Sequence, residues 1–223
     1  MKQGKVTKAS LEHLVFYPAA TNTNYPTIVA LHGRGTDEYD LLPLIESLQI
    51  PNALVVAPRA PLLFGPSGFT GGFAWYEFDE EGIPDPSTFR ASLDVLRRFL
   101  EEITVAYLVD RERLVLLGFS QGTVMAYAAG LLDPGAIRGI AALSGYVPHR
   151  SEFPLKLHDL NGLSVFISHG AWDEIIPVEF GRESAQLLKT AGADVLYCEY
   201  LMGHEVREET LRDLSAWIRN LMR

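Results

Sequence analysis

The chain has 223 residues, 48% of them hydrophobic, and a formal charge of −9. That length and apolar content suit one folded domain and exclude a disordered chain, while the acidic balance argues against a nucleic-acid surface, which needs clustered Lys and Arg. The single cysteine, Cys198, excludes an intrachain disulfide and a cysteine-rich zinc site, and its neighbours Val195, Leu196, Tyr197 and Tyr200 read as a strand carrying a packed or partly exposed thiol.

The N-terminus, Met1-Lys2-Gln3-Gly4-Lys5, is basic, but no apolar core of secretory-signal length follows it. No apolar run is long enough to span a bilayer, so the expected location is the cytoplasm. Strands are predicted at Leu14–Tyr17, Thr27–Leu31, Ala53–Ala57, Leu114–Gly118, Gly139–Leu143, Val165–Ser168 and Val195–Tyr200. Most of these runs lack polar alternation, as strands buried on both faces of a parallel sheet do.

Helical periodicity fills the intervals. Phe89, Leu93, Leu96, Leu100 and Ile103 make one stripe, with Ser87 as the expected N-cap. A segment compatible with helix runs from Thr123 to Leu132. Phe180, Ser184, Leu187 and Ala191 make another stripe, stopped by Gly192, and Leu211, Leu214, Ile218 and Leu221 make a last one. This alternation predicts one α/β domain over residues 1–223, a mostly parallel sheet with helices on both faces and no large cap. Residues 58–86 are the irregular exception, rich in proline, glycine and aromatics (Phe64, Phe69, Phe73, Trp75, Tyr76, Phe78). A loop of that length usually carries function, and its aromatic density predicts a folded wall for an apolar pocket.

The stretch Leu114-Val115-Leu116-Leu117-Gly118-Phe119-Ser120-Gln121-Gly122 carries the chemistry. An apolar strand delivers a serine into a glycine-flanked turn before a helix, the pattern of a nucleophile elbow. A serine hydroxyl needs a base to take its proton, and the base needs a carboxylate to orient it, in chain order Ser, acid, His. His149, His158, His169 and His204 follow Ser120. His204 lies just after the last predicted strand, where ligands collect in open α/β sheets. His169 also ends a strand, but Asp173 lies only four residues further along the same loop. The economical assignment is Asp173 as acid and His204 as base, with His169 hydrogen-bonding within its loop. Glu174 and Asp159 are rivals to Asp173, and a helix cap near Pro177 is its bland alternative. Oxyanion donors are expected from the backbone N–H of Gln121 and, in Leu31-His32-Gly33-Arg34-Gly35, from that of Arg34.

Together these residues resemble the phospholipase/carboxylesterase family of α/β-hydrolases. The resemblance rests on Leu31-His32-Gly33-Arg34-Gly35, Ala74-Trp75-Tyr76, Gly118-Phe119-Ser120-Gln121-Gly122, His169-Gly170-Ala171-Trp172-Asp173 with Pro177, and Gly203-His204-Glu205-Val206. It implies the triad Ser120, Asp173 and His204, the donors Arg34 and Gln121, a substrate-binding border at Trp75, and no metal or organic cofactor. It also implies a small ester or acyl substrate cleaved through an acyl-enzyme, with a homodimer as a further expectation. Two positions depart from the family pattern: Arg34 stands where an apolar residue is usual, and Thr123 where glycine is common.

Other readings are weaker. A dienelactone-type hydrolase would carry Cys at Ser120, a peptidase would add a cap domain, and a non-catalytic binding protein would lack a triad member. The acidic stretch Glu77, Asp79, Glu80 and Glu81 with Asp85 fits no standard calcium loop and reads as solvated.

Overall fold

The computed structural model describes residues 1–19, 24–50, 52–65, 71–80, 83–149 and 153–223. In chain order the elements are β1 (Lys2–Gln3), β2 (His13–Tyr17), β3 (Tyr25–Leu31), α1 (Leu42–Leu48), β4 (Leu54–Pro58), β5 (Leu62–Leu63), β6 (Phe73–Ala74), α2 (Pro86–Ala106), β7 (Val109–Phe119), α3 (Gln121–Leu132), β8 (Gly139–Leu143), β9 (Ser164–Gly170), α4 (Val178–Thr190), β10 (Asp194–Tyr200) and α5 (Glu208–Leu221).

Eight strands form one sheet in the order β1-β2-β4-β3-β7-β8-β9-β10. From β4 to β10 the pairs are parallel, as the unbroken apolar runs predict. β2 joins β4 antiparallel, and β1 joins β2 in the same sense, so the N-terminal edge is mixed. This is the mostly parallel α/β sheet that the strand and helix alternation anticipates, in the α/β-hydrolase form that the family resemblance implies.

Side-chain alternation along the strands sorts the core into two layers. Val29 and Leu31 of β3 and Leu114 and Leu116 of β7 pack with α2, α3 and α4 through Leu93, Leu96, Val124, Leu131 and Leu188. Ile28, Ala30, Val115 and Leu117 point the other way, toward Ile45 and Leu48 of α1 and Leu214 and Ile218 of α5. Helix α3 is buried from Gln121 through Leu131, so it stands directly behind the residue that precedes it, Ser120.

Several details differ from expectation. Helix α1 and strand β1 were not anticipated, being too short for a periodic signal. The N-cap of α2 is Asp85, not Ser87: the Asp85 carboxylate accepts the Thr88 N–H at 2.8 Å. In α4 the buried stripe is Val178, Gly181, Ser184, Ala185 and Leu188, so Phe180 and Leu187 lie off it. Small residues set that phase, because Gly181 packs so tightly on the buried His169 ring that a Cβ would sit 2.6 Å from its Nδ1.

Within residues 58–86, β5 and β6 pair as a small hairpin, and a second turn closes where Asp79 N–H donates to Ile83 O at 2.9 Å. Phe69 and Glu81, singled out in the sequence, lie outside the described residues.

Candidate active site

The sheet delivers four of the candidate residues to one edge. Loops leaving the C-terminal ends of β3, β7, β9 and β10 carry Arg34, Ser120, Asp173 and His204, respectively. Ser120 sits between strand and helix with φ 53° and ψ −118°, a conformation that non-glycine residues avoid. What makes that turn possible is missing atoms on either side. A Cβ on Gly118 would meet the Gly122 carbonyl carbon at 2.5 Å, and one on Gly122 would lie 2.0 Å from Leu31 O. The Ser120 amide is tied to the next strand, donating to Leu143 O at 2.9 Å. The buried Thr123 hydroxyl spans the same gap, lying 2.7 Å from Gly118 O, 2.8 Å from Leu143 O and 3.1 Å from the Leu143 amide. Gly145 makes room for it, since a Cβ there would sit 2.4 Å from the Thr123 Cβ. The departure from glycine at Thr123 is thereby accommodated and bonded.

Asp173 and His204 are brought together across 31 residues of chain. His204 Nδ1 lies 2.7 Å from Asp173 Oδ2, so the ring donates its Nδ1–H to the carboxylate and presents Nε2 as an acceptor. The imidazole rests on the ring of Phe119, with centroids 4.9 Å apart, which seats it beside the residue preceding Ser120. The other carboxylate oxygen accepts the amides of Ile175 and Ile176 at 2.9 and 2.8 Å. That fixes the loop and explains why Asp173 is not the helix cap, whose position Pro177 takes. Glu174 and Asp159 are exposed, and Asp159 pairs with His158 at 3.1 Å.

His169 is the second imidazole near Asp173. Its Nε2 donates to Ile176 O at 2.8 Å and lies 3.6 Å from Asp173 Oδ2, within its loop as the sequence predicts. The ring is buried, which pushes its pKa down, and its Nδ1 has no partner among the described residues. It behaves as a neutral brace.

The glycine loop after β3 is organised by His32. Its buried ring donates from Nδ1 to Gly33 O at 2.7 Å and accepts the Ala60 amide at Nε2 at 3.0 Å. Burial lowers its pKa and favours this neutral form. Gly35 N–H donates to Phe73 O and Phe73 N–H to Thr36 O, both at 2.8 Å, so the loop is stitched to β6 on one side. Between these anchors the Arg34 amide has no acceptor among the described residues. The Gln121 amide heads α3, where the first N–H groups of a helix lack intrahelical partners.

Sequence reasoning missed the side chain of Gln121. Its Oε1 accepts the Trp75 amide at 2.7 Å, and its Nε2 donates to Tyr76 O at 2.7 Å. One buried amide thus clasps the backbone of the long loop, and a glutamine at the first position of an otherwise apolar helix was the available signal. Trp75, expected to border the acyl site, is fully buried, and its indole N–H donates to His32 O at 2.9 Å. In this structure it braces the loop; the rings nearer the surface are Phe64, Phe73 and Phe78.

A strained serine between strand and helix, with a histidine–aspartate pair on neighbouring strand ends, defines the class: an α/β-hydrolase. Residues 16–222 match the phospholipase/carboxylesterase family, and the chain belongs to that family of hydrolases. Among its relatives is acyl-protein thioesterase 1 of Candida albicans, 30% identical over 92% of this chain and 96% of the relative. Carboxylesterase SOBER1 of Arabidopsis thaliana is 27% identical over 88% and 90%. The solved carboxylesterase of Bacillus cereus superposes with a TM-score of 0.82 at 27% identity, covering 95% of this chain and 94% of that one.

Proposed function

We propose that the protein hydrolyses carboxylic esters or thioesters of small acyl groups through an acyl-enzyme on Ser120. The observation that carries this reading is the 2.7 Å pair of His204 Nδ1 and Asp173, with the imidazole resting on Phe119. His204 Nε2 takes the Ser120 proton as the hydroxyl attacks the acyl carbon, then gives it to the departing alkoxide or thiolate. Asp173 holds the ring in the tautomer that leaves Nε2 free and stabilises the imidazolium. The amides of Arg34 and Gln121 receive the oxyanion, which is where their unspent N–H groups become useful. Water then repeats the sequence on the acyl-enzyme, with His204 again as base. Relatives named carboxylesterase and acyl-protein thioesterase support both leaving-group classes.

A fluorophosphonate probe should label Ser120, and an activated p-nitrophenyl ester should give a burst of one equivalent followed by steady turnover. Ser120→Ala should lose labelling, burst and at least about a thousandfold of turnover. Full turnover by Ser120→Ala would end this reading.

A further inference from the structure

Two arginines flank the long loop, and they are used differently. Arg59 stacks over Phe73 at 4.7 Å, and each of its three nitrogens is engaged: Nε donates to Glu38 at 2.7 Å, Nη2 to the other Glu38 oxygen, and Nη1 to Glu12. That is a closed structural arrangement. Arg34 stacks over two rings, Phe64 at 4.8 Å and Phe78 at 5.0 Å, but its one ionic neighbour is Glu77 at 3.9 Å, outside hydrogen-bond range. None of its five N–H donors has an acceptor among the described residues, and the side chain is 40% exposed.

A guanidinium resting on aromatic rings is held in place while its in-plane donors stay open, the geometry that suits a planar carboxylate. Its position follows from its backbone. The Arg34 amide is the proposed oxyanion donor, so the cation lies within one side-chain length of the scissile carbonyl. The two side chains also rest on different rings. His204, which must reach the leaving group, packs on Phe119, whereas the Arg34 head packs on Phe64 and Phe78 of the loop.

We propose that Arg34 is a specificity residue that binds a carboxylate on the acyl half of the substrate, so that the preferred substrates are esters or thioesters of dicarboxylic-type acyl groups. This rests on the acyl-enzyme reading above. The surroundings make the recognition local. Asp79 and Glu80 are exposed nearby and the chain carries a charge of −9, so no broad field draws anions in. Glu77 competes for the same cation.

The test compares kcat/KM for the p-nitrophenyl monoester of glutaric acid with that for p-nitrophenyl valerate, whose acyl chain has the same length without the charge. The wild type should favour the charged ester. Arg34→Met, which keeps an apolar stem on the rings, should lower the charged-to-neutral ratio by about tenfold or more, the factor that one charge-assisted pair supplies. Arg34→Lys should keep part of the preference. Glu77→Gln should move the ratio the other way, upward, and added salt should lower it in the wild type. If Arg34→Met does not fold, Glu77→Gln and the salt dependence decide. A ratio unchanged by these substitutions, with turnover still dependent on Ser120, overturns this proposal alone. Turnover of both esters that survives Ser120→Ala overturns the acyl-enzyme reading, and this proposal with it.

Discussion

Between residues 118 and 123 the backbone is shaped by atoms that are missing, whereas between 58 and 86 it is shaped by side chains reaching in from elsewhere. At the elbow, Gly118 and Gly122 leave no room for a Cβ, and the chain has one path that lets Ser120 face the edge of the sheet. Among the described residues of the long loop, regular structure is limited to a hairpin with two-residue strands and a second turn. The loop's position depends on the amide of Gln121, which holds the backbone of Trp75 and Tyr76, and on the ring of His32, which accepts the Ala60 amide. The two regions meet in one residue pair, Ser120 and Gln121. A strained local turn therefore holds the proposed nucleophile, and its neighbour's side chain anchors the wall of the proposed site.

The comparison breaks first at the elbow. Gly122→Ala should be the most damaging single change, because its methyl would sit 2.0 Å from a backbone carbonyl that cannot rotate away. We expect a loss of about 3 kcal/mol or more, with little soluble, active protein. Urea unfolding of whatever folds would read it; a normal midpoint would show that the elbow has slack the structure does not reveal. Gln121→Ala comes next, at about 2–3 kcal/mol, since it leaves the Trp75 N–H and the Tyr76 carbonyl buried without partners. It keeps the backbone amide proposed for the oxyanion, so KM should rise more than kcat falls as the loop loosens. Gln121→Glu should recover the Trp75 bond but repel Tyr76 O, and land between the two.

The same contrast explains what the sequence made legible. The strand leading to Ser120 and the loop placing of Asp173 and His204 could be read because each is a local pattern at a strand end. A polar residue heading an apolar helix marks Gln121 as unusual, but its partners lie 45 and 46 residues upstream, so the local pattern does not say what it clasps. Arg34 shows the same limit. The backbone role proposed for it is suggested by the glycines beside it, but its stacking on Phe64 and Phe78 exists only once the loop is folded over it. The antiparallel pairing of β2 with β4 was likewise invisible, since an apolar run fixes burial but not direction.

Acid should reach the loop before the elbow. His13, His32 and His169 all have pKa values lowered by burial from the ordinary 6.5. The unfolded chain binds protons at these sites more readily, so their contribution to stability is complete above 6.5 and is lost as pH falls below it. The urea midpoint should be flat above that value and decline beneath it. His32 is the one that touches the loop, because protonation would set a second N–H against the Ala60 amide. In His32→Gln the decline should be shallower, and an identical slope would assign the effect to His13 and His169 instead.

The smallest expected effect lies where the loop ends and α2 begins. The apolar stripe starts at Phe89, which points back to Ser87 as the cap, yet the carboxylate of Asp85 takes the Thr88 amide and the hydroxyls of Ser87 and Thr88, each at 2.8 Å. Pro86 favours this choice, since its fixed φ suits the first helical position and its missing N–H leaves no donor to satisfy. The Thr88 amide is the main cause holding the Asp85 pKa down, so the cap acts with Asp85 ionised and weakens as pH falls below 3.8. Asp85→Ala should lower the thermal midpoint slightly, Asp85→Asn should keep most of it, and Ser87→Ala should change it least. Asp85 N–H also donates to Glu77 O at 2.8 Å, so the cap residue closes the turn that presents Glu77 to Arg34. If Asp85→Ala shifts the charged-to-neutral ester ratio as well as the midpoint, the end of the loop positions the acyl site; if only the midpoint moves, Asp85 serves the helix alone.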